Sequence, residues 1–162
     1  MNLARFAVLL LVLALTQPVL AGTGRQETTF LVLADERTVC RWIEQNSQAI
    51  DESTGAEVLS VQGRQSKLRK ETKEGTFTFV VEHDPEHNGL IRTVLLKSDK
   101  ENLVSQETEI QVQREGAATR VTIKVTAVVN GHTGMAISIG IRPSLRGMRK
   151  LLETQFGTPN AS

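Results

Sequence analysis

PSLRGMRKLLETQF, Pro143–Phe156, is the stretch on which the fold turns. Leu145, Met148, Leu152 and Phe156 recur every three or four residues, which sets them on one face of a helix. Leu151 flanks that stripe, and Arg146, Arg149, Lys150 and Glu153 take the other side. Pro143 suits the first helical position, where its missing N–H costs nothing, and Gly157 followed by Pro159 ends the run. One amphipathic helix at the end of a chain needs an apolar sheet face to cover. The preceding segments supply it.

Thr28–Leu33 is β-branched and apolar and reads as a first strand. Asp35 can cap a helix from Glu36 to about Ile50, with Val39, Ile43 and Ile50 on its apolar side, joined by Cys40 or Trp42. After the turn residues Asp51–Gly55 the periodicity changes to two. Glu57–Gln62, Gln65–Thr72, Thr76–His83, Leu90–Ser98, Leu103–Arg114 and Ala118–Val129 then read as strands joined by short polar turns, an antiparallel meander. Gly134–Arg142 carries two patterns. Ile137, Ile139 and Ile141 alternate as in a strand, whereas Ala136, Ile137, Gly140 and Ile141 would extend the helix. The residue before a proline resists helical geometry, so an extended approach is expected, with the helix starting near Pro143.

Charged residues on alternate positions imply that one sheet face is buried. Val121, Ile123, Val125, Ala127 and Val129 share an inward phase, as do Val104, Ile110 and Val112. Phe77, Phe79 and Val81 form another inward set, and Val94 and Leu96 are assigned inward on a strand that Ile91 and Leu95 make apolar on both sides. The same parity places His83, Arg92, Gln106 and Thr108 inward. Apolar walls with a few convergent polar groups are the ordinary design of a small-molecule site. Phe77, Phe79, Arg92, Val94, Leu96, Thr108, Ile110, Ile123, Val125, Met148 and Leu152 are therefore the candidate ligand-binding residues. Gly147 would admit either close approach to the sheet or a ligand.

Residues 1–21 read as a secretory signal peptide: a short n-region with Arg5, the apolar run Phe6–Leu15, and small residues before a cleavage point after Ala21. The run is shorter than the ~20 residues a membrane span requires. Removing 21 of 162 residues leaves 141, a usual size for one domain, 22–162. Arg5 is the one charge lost, so the 19 basic and 18 acidic residues of the whole chain become equal. Neither nucleic acid nor an anionic membrane surface is expected as partner of a neutral chain. Cys40 is the one cysteine, so an exported form has no internal disulfide, and it reads as a buried structural thiol. A monomer without cofactor is expected.

The order of strand, helix, six antiparallel strands and long terminal helix resembles the START-like, or SRPBCC, helix-grip superfamily. The segments that carry the likeness are EGAATRVTIKVTAVVNG (Glu115–Gly131) and SLRGMRKLLETQF (Ser144–Phe156). The resemblance implies an α+β fold in which a curved antiparallel sheet of six to seven strands wraps the last helix around an apolar cavity. It further implies a hydrophobic ligand or lipid, with a minority of cyclase-type enzymes. One departure is that the segment after the first strand has room for one good helix where many relatives have two.

Other chemistry has less support. His83-Asp84-Pro85-Glu86-His87 contains metal-type ligands, but Asp84-Pro85 precludes a helical pairing and the residues suit a hairpin turn. No G-x-S-x-G, phosphate-binding loop or dinucleotide fingerprint occurs. The basic residues Arg64, Lys67, Arg69, Lys70 and Lys73 read as a solvated strand face. Three readings stay open: a non-catalytic binding module, a cyclase- or hydratase-type enzyme using Arg92 and His83, and a structural or interaction protein with a filled core.

Overall fold

The computed structural model describes residues 20–85 and 89–159. Most of the expected signal peptide, together with Glu86 and His87 of the turn, lies outside the described residues. Seven strands are present: β1 (Ala21–Val32), β2 (Glu57–Gln62), β3 (Gln65–Thr72), β4 (Gly75–Pro85), β5 (Leu90–Ser98), β6 (Leu103–Glu115) and β7 (Ala118–Asn130). They form one antiparallel sheet in the order β1-β7-β6-β5-β4-β3-β2. Three helices accompany it: α1 (Glu36–Gln45), α2 (Ser47–Ser53) and α3 (Gly134–Phe156). The fold is α+β, a helix grip.

Three local expectations are corrected. The first strand starts at Ala21, because Gly22 and Gly24 let the chain pass under the start of α3. A Cβ on Gly24 would lie 2.5 Å from the Ile137 side chain, and one on Gly22 would lie 1.9 Å from the His132 carbonyl oxygen. The helix expected to run to Ile50 breaks at Asn46, whose side chain bonds the Trp42 carbonyl at 2.7 Å, so there are two helices after the first strand. Asp35 caps α1 as expected, accepting from the Thr38 N–H at 3.0 Å.

The third correction concerns Gly134–Arg142, which is helical. Thr133 caps its first turn through the Ala136 N–H, and Ile137, Ile141, Leu145, Met148 and Leu152 make one buried stripe spaced by three and four. That stripe outweighs the resistance of the residue before a proline. Pro143 lies inside α3 and costs it the bond to the Ile139 carbonyl, but both residues are exposed, so that carbonyl is open to solvent and the loss is small.

The core lies in two parts. Phe30, Val32, Val112, Val121, Ile123, Met148 and Leu152 pack with Val39 and Ile43 of α1 under α3. A second cluster of Ala56, Leu68, Phe79 and Val81, flanked by Val58, Phe77 and Leu95, occupies the β2–β5 end of the sheet. The space between the two clusters is the site.

Candidate functional site

Where the two clusters part, α3 bridges a cavity of about 100 Å³. Its floor comes from alternate positions on four neighbouring strands: Leu68 and Lys70 of β3, Phe77, Phe79 and Val81 of β4, Thr93 of β5, and Gln106 and Thr108 of β6. Val125 of β7 continues it. Ile50, Asp51 and Thr54 of α2 and its end make one wall, and Gly140, Ile141, Ser144 and Met148 of α3 make the roof. A wider groove of about 300 Å³ adjoins it and shares Lys70, Phe77, Gln106, Gly140 and Ile141. That groove leads outward past Leu103, Ala127 and Val129 to a rim of Lys73, Glu74, Lys100 and His132. Both spaces are mostly apolar, in the size class of small-molecule sites when taken together.

Strand register sets one row of this floor. His83 pairs with Thr93, Thr93 with Thr108, and Thr108 with Val125, so these four share a face across β4–β7. His83 is inward, as its parity implies, and both its nitrogens are used inside the protein. Nδ1 lies 3.0 Å from Thr93 Oγ1, while Nε2 lies 3.0 Å from Asp51 Oδ2 and 3.3 Å from Ser66 Oγ. Asp51 and Ser66 are buried, at 4% and 0% exposure. A buried carboxylate needs such a partner, and His83 ties α2 to three strands. Asp84, its neighbour in sequence, points outward to Arg64 at 2.6 Å, so the two do not converge on one ion.

Lys70 is the second polar group of the interior. Its Nζ donates to the Thr54 carbonyl oxygen at 3.1 Å and to Ser144 Oγ at 3.0 Å. Desolvation lowers its pKa below the ordinary lysine value. No carboxylate of the described residues forms an ion pair with it.

Of the expected ligand-binding residues, Phe77, Phe79, Thr108, Val125 and Met148 line the cavity. Ile110, Ile123 and Leu152 are close-packed core at 2%, 0% and 0% exposure, with no part in the cavity wall. Arg92, Val94 and Leu96 are on the outer face. Val94 and Leu96 are exposed, and Arg92 pairs with Glu107 at 2.7 Å and Glu109 at 3.5 Å beside Lys124. The inward set on β5 is Ile91, Thr93 and Leu95. A bulge at Val80/Val81 shifts the pairing near Leu96, and both faces of β5 are apolar, so parity alone chose the wrong one. Val104 is exposed for a similar reason, a shift between Leu103 and Ser105.

Lys70 was hidden among the basic residues of β3 and is not part of a solvated face. It shares parity with Ser66 and Leu68, which are both buried, and that pattern was the available signal. Gly147 makes its close approach to α2 and neither to the sheet nor to the cavity.

No protein-family model matches the chain, and no curated protein matches it. Solved structures do. A START superfamily protein from Mycobacterium smegmatis is 18% identical with a TM-score of 0.64, covering 82% of this chain and 96% of that one. The ZhuI aromatase/cyclase from Streptomyces sp. R1128 is 14% identical with a TM-score of 0.56, covering 82% and 93%. Major latex-like protein 151 from Panax ginseng is 12% identical with a TM-score of 0.54, covering 80% and 97%. The chain has the START-like helix-grip fold. At these identities the likeness concerns fold.

Proposed function

We propose that this protein is an exported, non-catalytic carrier or receptor for a hydrophobic small molecule or lipid, held between the sheet and α3. The observation that supports this most is the cavity itself. It continues into a groove whose walls are Phe77, Leu103, Ala127, Val129, Ile137 and Ile141, so an apolar body can lie along α3 without displacing the core. Non-catalytic binding is favoured over acid–base turnover because both nitrogens of His83 are engaged by Thr93, Asp51 and Ser66. Arg92, the other candidate for proton transfer or oxyanion stabilisation, is outside. Among the described residues no helix is long and apolar enough to cross a membrane.

Native mass spectrometry of the purified protein, followed by solvent extraction, tests the reading. A bound or extractable apolar molecule is the expected result; a protein that retains none and takes up none from a lipid extract would exclude it. Export is tested separately. N-terminal sequencing of protein recovered outside the cytoplasm is expected to begin at Gly22, and retention of residues 1–21 in the cytoplasm would refute it.

A further inference from the structure

Lys70 is a cation in an apolar setting to which no carboxylate of the described residues supplies a counter-charge. Its stem crosses the neck between cavity and groove, beside Phe77, Gln106, Gly140 and Ile141. Of three ammonium hydrogens, two are taken by neutral acceptors, the Thr54 carbonyl and the Ser144 hydroxyl. Ser144 Oγ in turn lies 3.2 Å from the same carbonyl oxygen, so it donates there and offers Lys70 a lone pair. The three groups hold the ammonium in place and leave one N–H for a ligand. Asp51, also on the cavity wall, is engaged by His83. At the rim, Glu74 is engaged by Lys100 at 2.8 Å and by His132 at 3.2 Å. Neither acid is left to neutralise Lys70.

A partly buried ammonium without an anion is unfavourable, and an anionic group arriving at the neck would offset that cost. The space limits what the anion can be. One N–H and one positive charge match a single carboxylate; a phosphate dianion would call for more donors and more charge. We propose that Lys70 is the head-group anchor of the site, and that the ligand is an apolar monocarboxylate. Its carboxylate takes the free N–H of Lys70, and its apolar body lies in the groove along Ala127, Val129, Ile137 and Ile141. This rests on the ligand-binding reading above and adds the chemical class of the ligand.

The test compares decanoate with decan-1-ol, which has the same chain and no charge, by isothermal titration and native mass spectrometry at neutral pH. Wild type is expected to bind decanoate about tenfold or more tighter than the alcohol, the scale of one desolvated charge-assisted hydrogen bond. Lys70→Met keeps the stem and removes the charge, and is expected to abolish that preference while binding the alcohol as before. Lys70→Gln, which keeps a donor, serves if the methionine variant fails to fold, and the comparison within wild type requires no variant. Equal binding of acid and alcohol by wild type, or a preference that survives in Lys70→Met, would overturn the role of Lys70 and leave the binding reading intact. Failure of wild type to bind either probe would overturn the monocarboxylate assignment, and the binding reading falls with it only when the protein also takes up nothing from a lipid extract.

Discussion

Gly147 of α3 lies directly against the carbonyl of Ser53, so close that a Cβ at position 147 would stand 1.8 Å from that oxygen. This contact fixes the distance between α2 and α3, and α2 carries Ile50, Asp51 and Thr54 into the cavity wall. Gly147→Ala improves local helix propensity by about 1 kcal/mol yet forces backbone apart. The net expectation is a loss of about 2 kcal/mol or more in chemical denaturation, because overpacking against backbone has no rotamer to relieve it. An unchanged or raised midpoint would contradict the contact.

Gly140 gives the opposite outcome. A Cβ there would meet no atom within 4 Å, although the residue lines both cavity and groove. Gly140→Leu should raise the thermal midpoint, since it removes a helix-interior glycine worth about 1 kcal/mol. The same side chain would enter the neck and reduce ligand uptake. A variant that is more stable and still binds decanoate as wild type does would show that the neck is not the route.

His83 holds Asp51, Ser66 and Thr93 together. His83→Leu leaves a buried carboxylate and a buried hydroxyl without this partner. A cost of about 3 kcal/mol is expected from urea unfolding, in the range for breaking a buried polar pair from one side. By contrast Arg92→Ala disturbs an outer-face ion network and should cost less than about 1 kcal/mol and leave binding unchanged. A binding defect in Arg92→Ala would return that residue to the site.

Acid should destabilise the protein through a defined set of carboxylates. Hydrogen bonds from Thr38, Lys100, Thr78 and Lys124 lower the pKa of Asp35, Glu74, Asp99 and Glu109, respectively, below the ordinary 3.8 for Asp and 4.5 for Glu. With folded values below unfolded ones, the unfolded chain binds more protons across that interval. The stabilisation is therefore present above about pH 5 and is lost as pH falls through 4 and below. Thermal melts from pH 7 to 3 should show a falling midpoint. Asp35→Asn keeps a capping acceptor for Thr38 without a titrating group, so its curve should be shallower than wild type. A midpoint independent of pH would refute the assignment.

The architecture was legible from the chain because its signals are redundant. Strand alternation, turn residues and the Leu145–Leu152 stripe each point to a sheet under a terminal helix, and all three agree with the structure. The site was less legible, and β5 explains why. Ile91 and Leu95 on one face and Val94 and Leu96 on the other are equally apolar, so parity carries no information there, and a bulge shifts the pairing as well. On β7, where apolar and polar residues alternate cleanly, Val125 was placed correctly in the cavity. Lys70 illustrates a different limit. Residue type says solvent, phase says interior, and the neutral groups that decide between them, Thr54 and Ser144, are 16 and 74 residues away in sequence.

The pairing of β1 with β7 has a consequence for how the molecule comes into being. Residues 21–32 find their neighbouring strand only at 118–130, and their covering helix only at 134–156. The Leu33 N–H even bonds the Gly157 carbonyl, joining the end of the first strand to the end of the last helix at 3.2 Å. A chain emerging from the ribosome N-terminus first therefore carries this strand unmatched until residues 118–130 have been made. Closure waits on residues 118–130 and 134–156. The step that traps the fold in its final shape therefore belongs to the meeting of segments about a hundred residues apart in the chain, and not to the neighbours of the first strand in sequence.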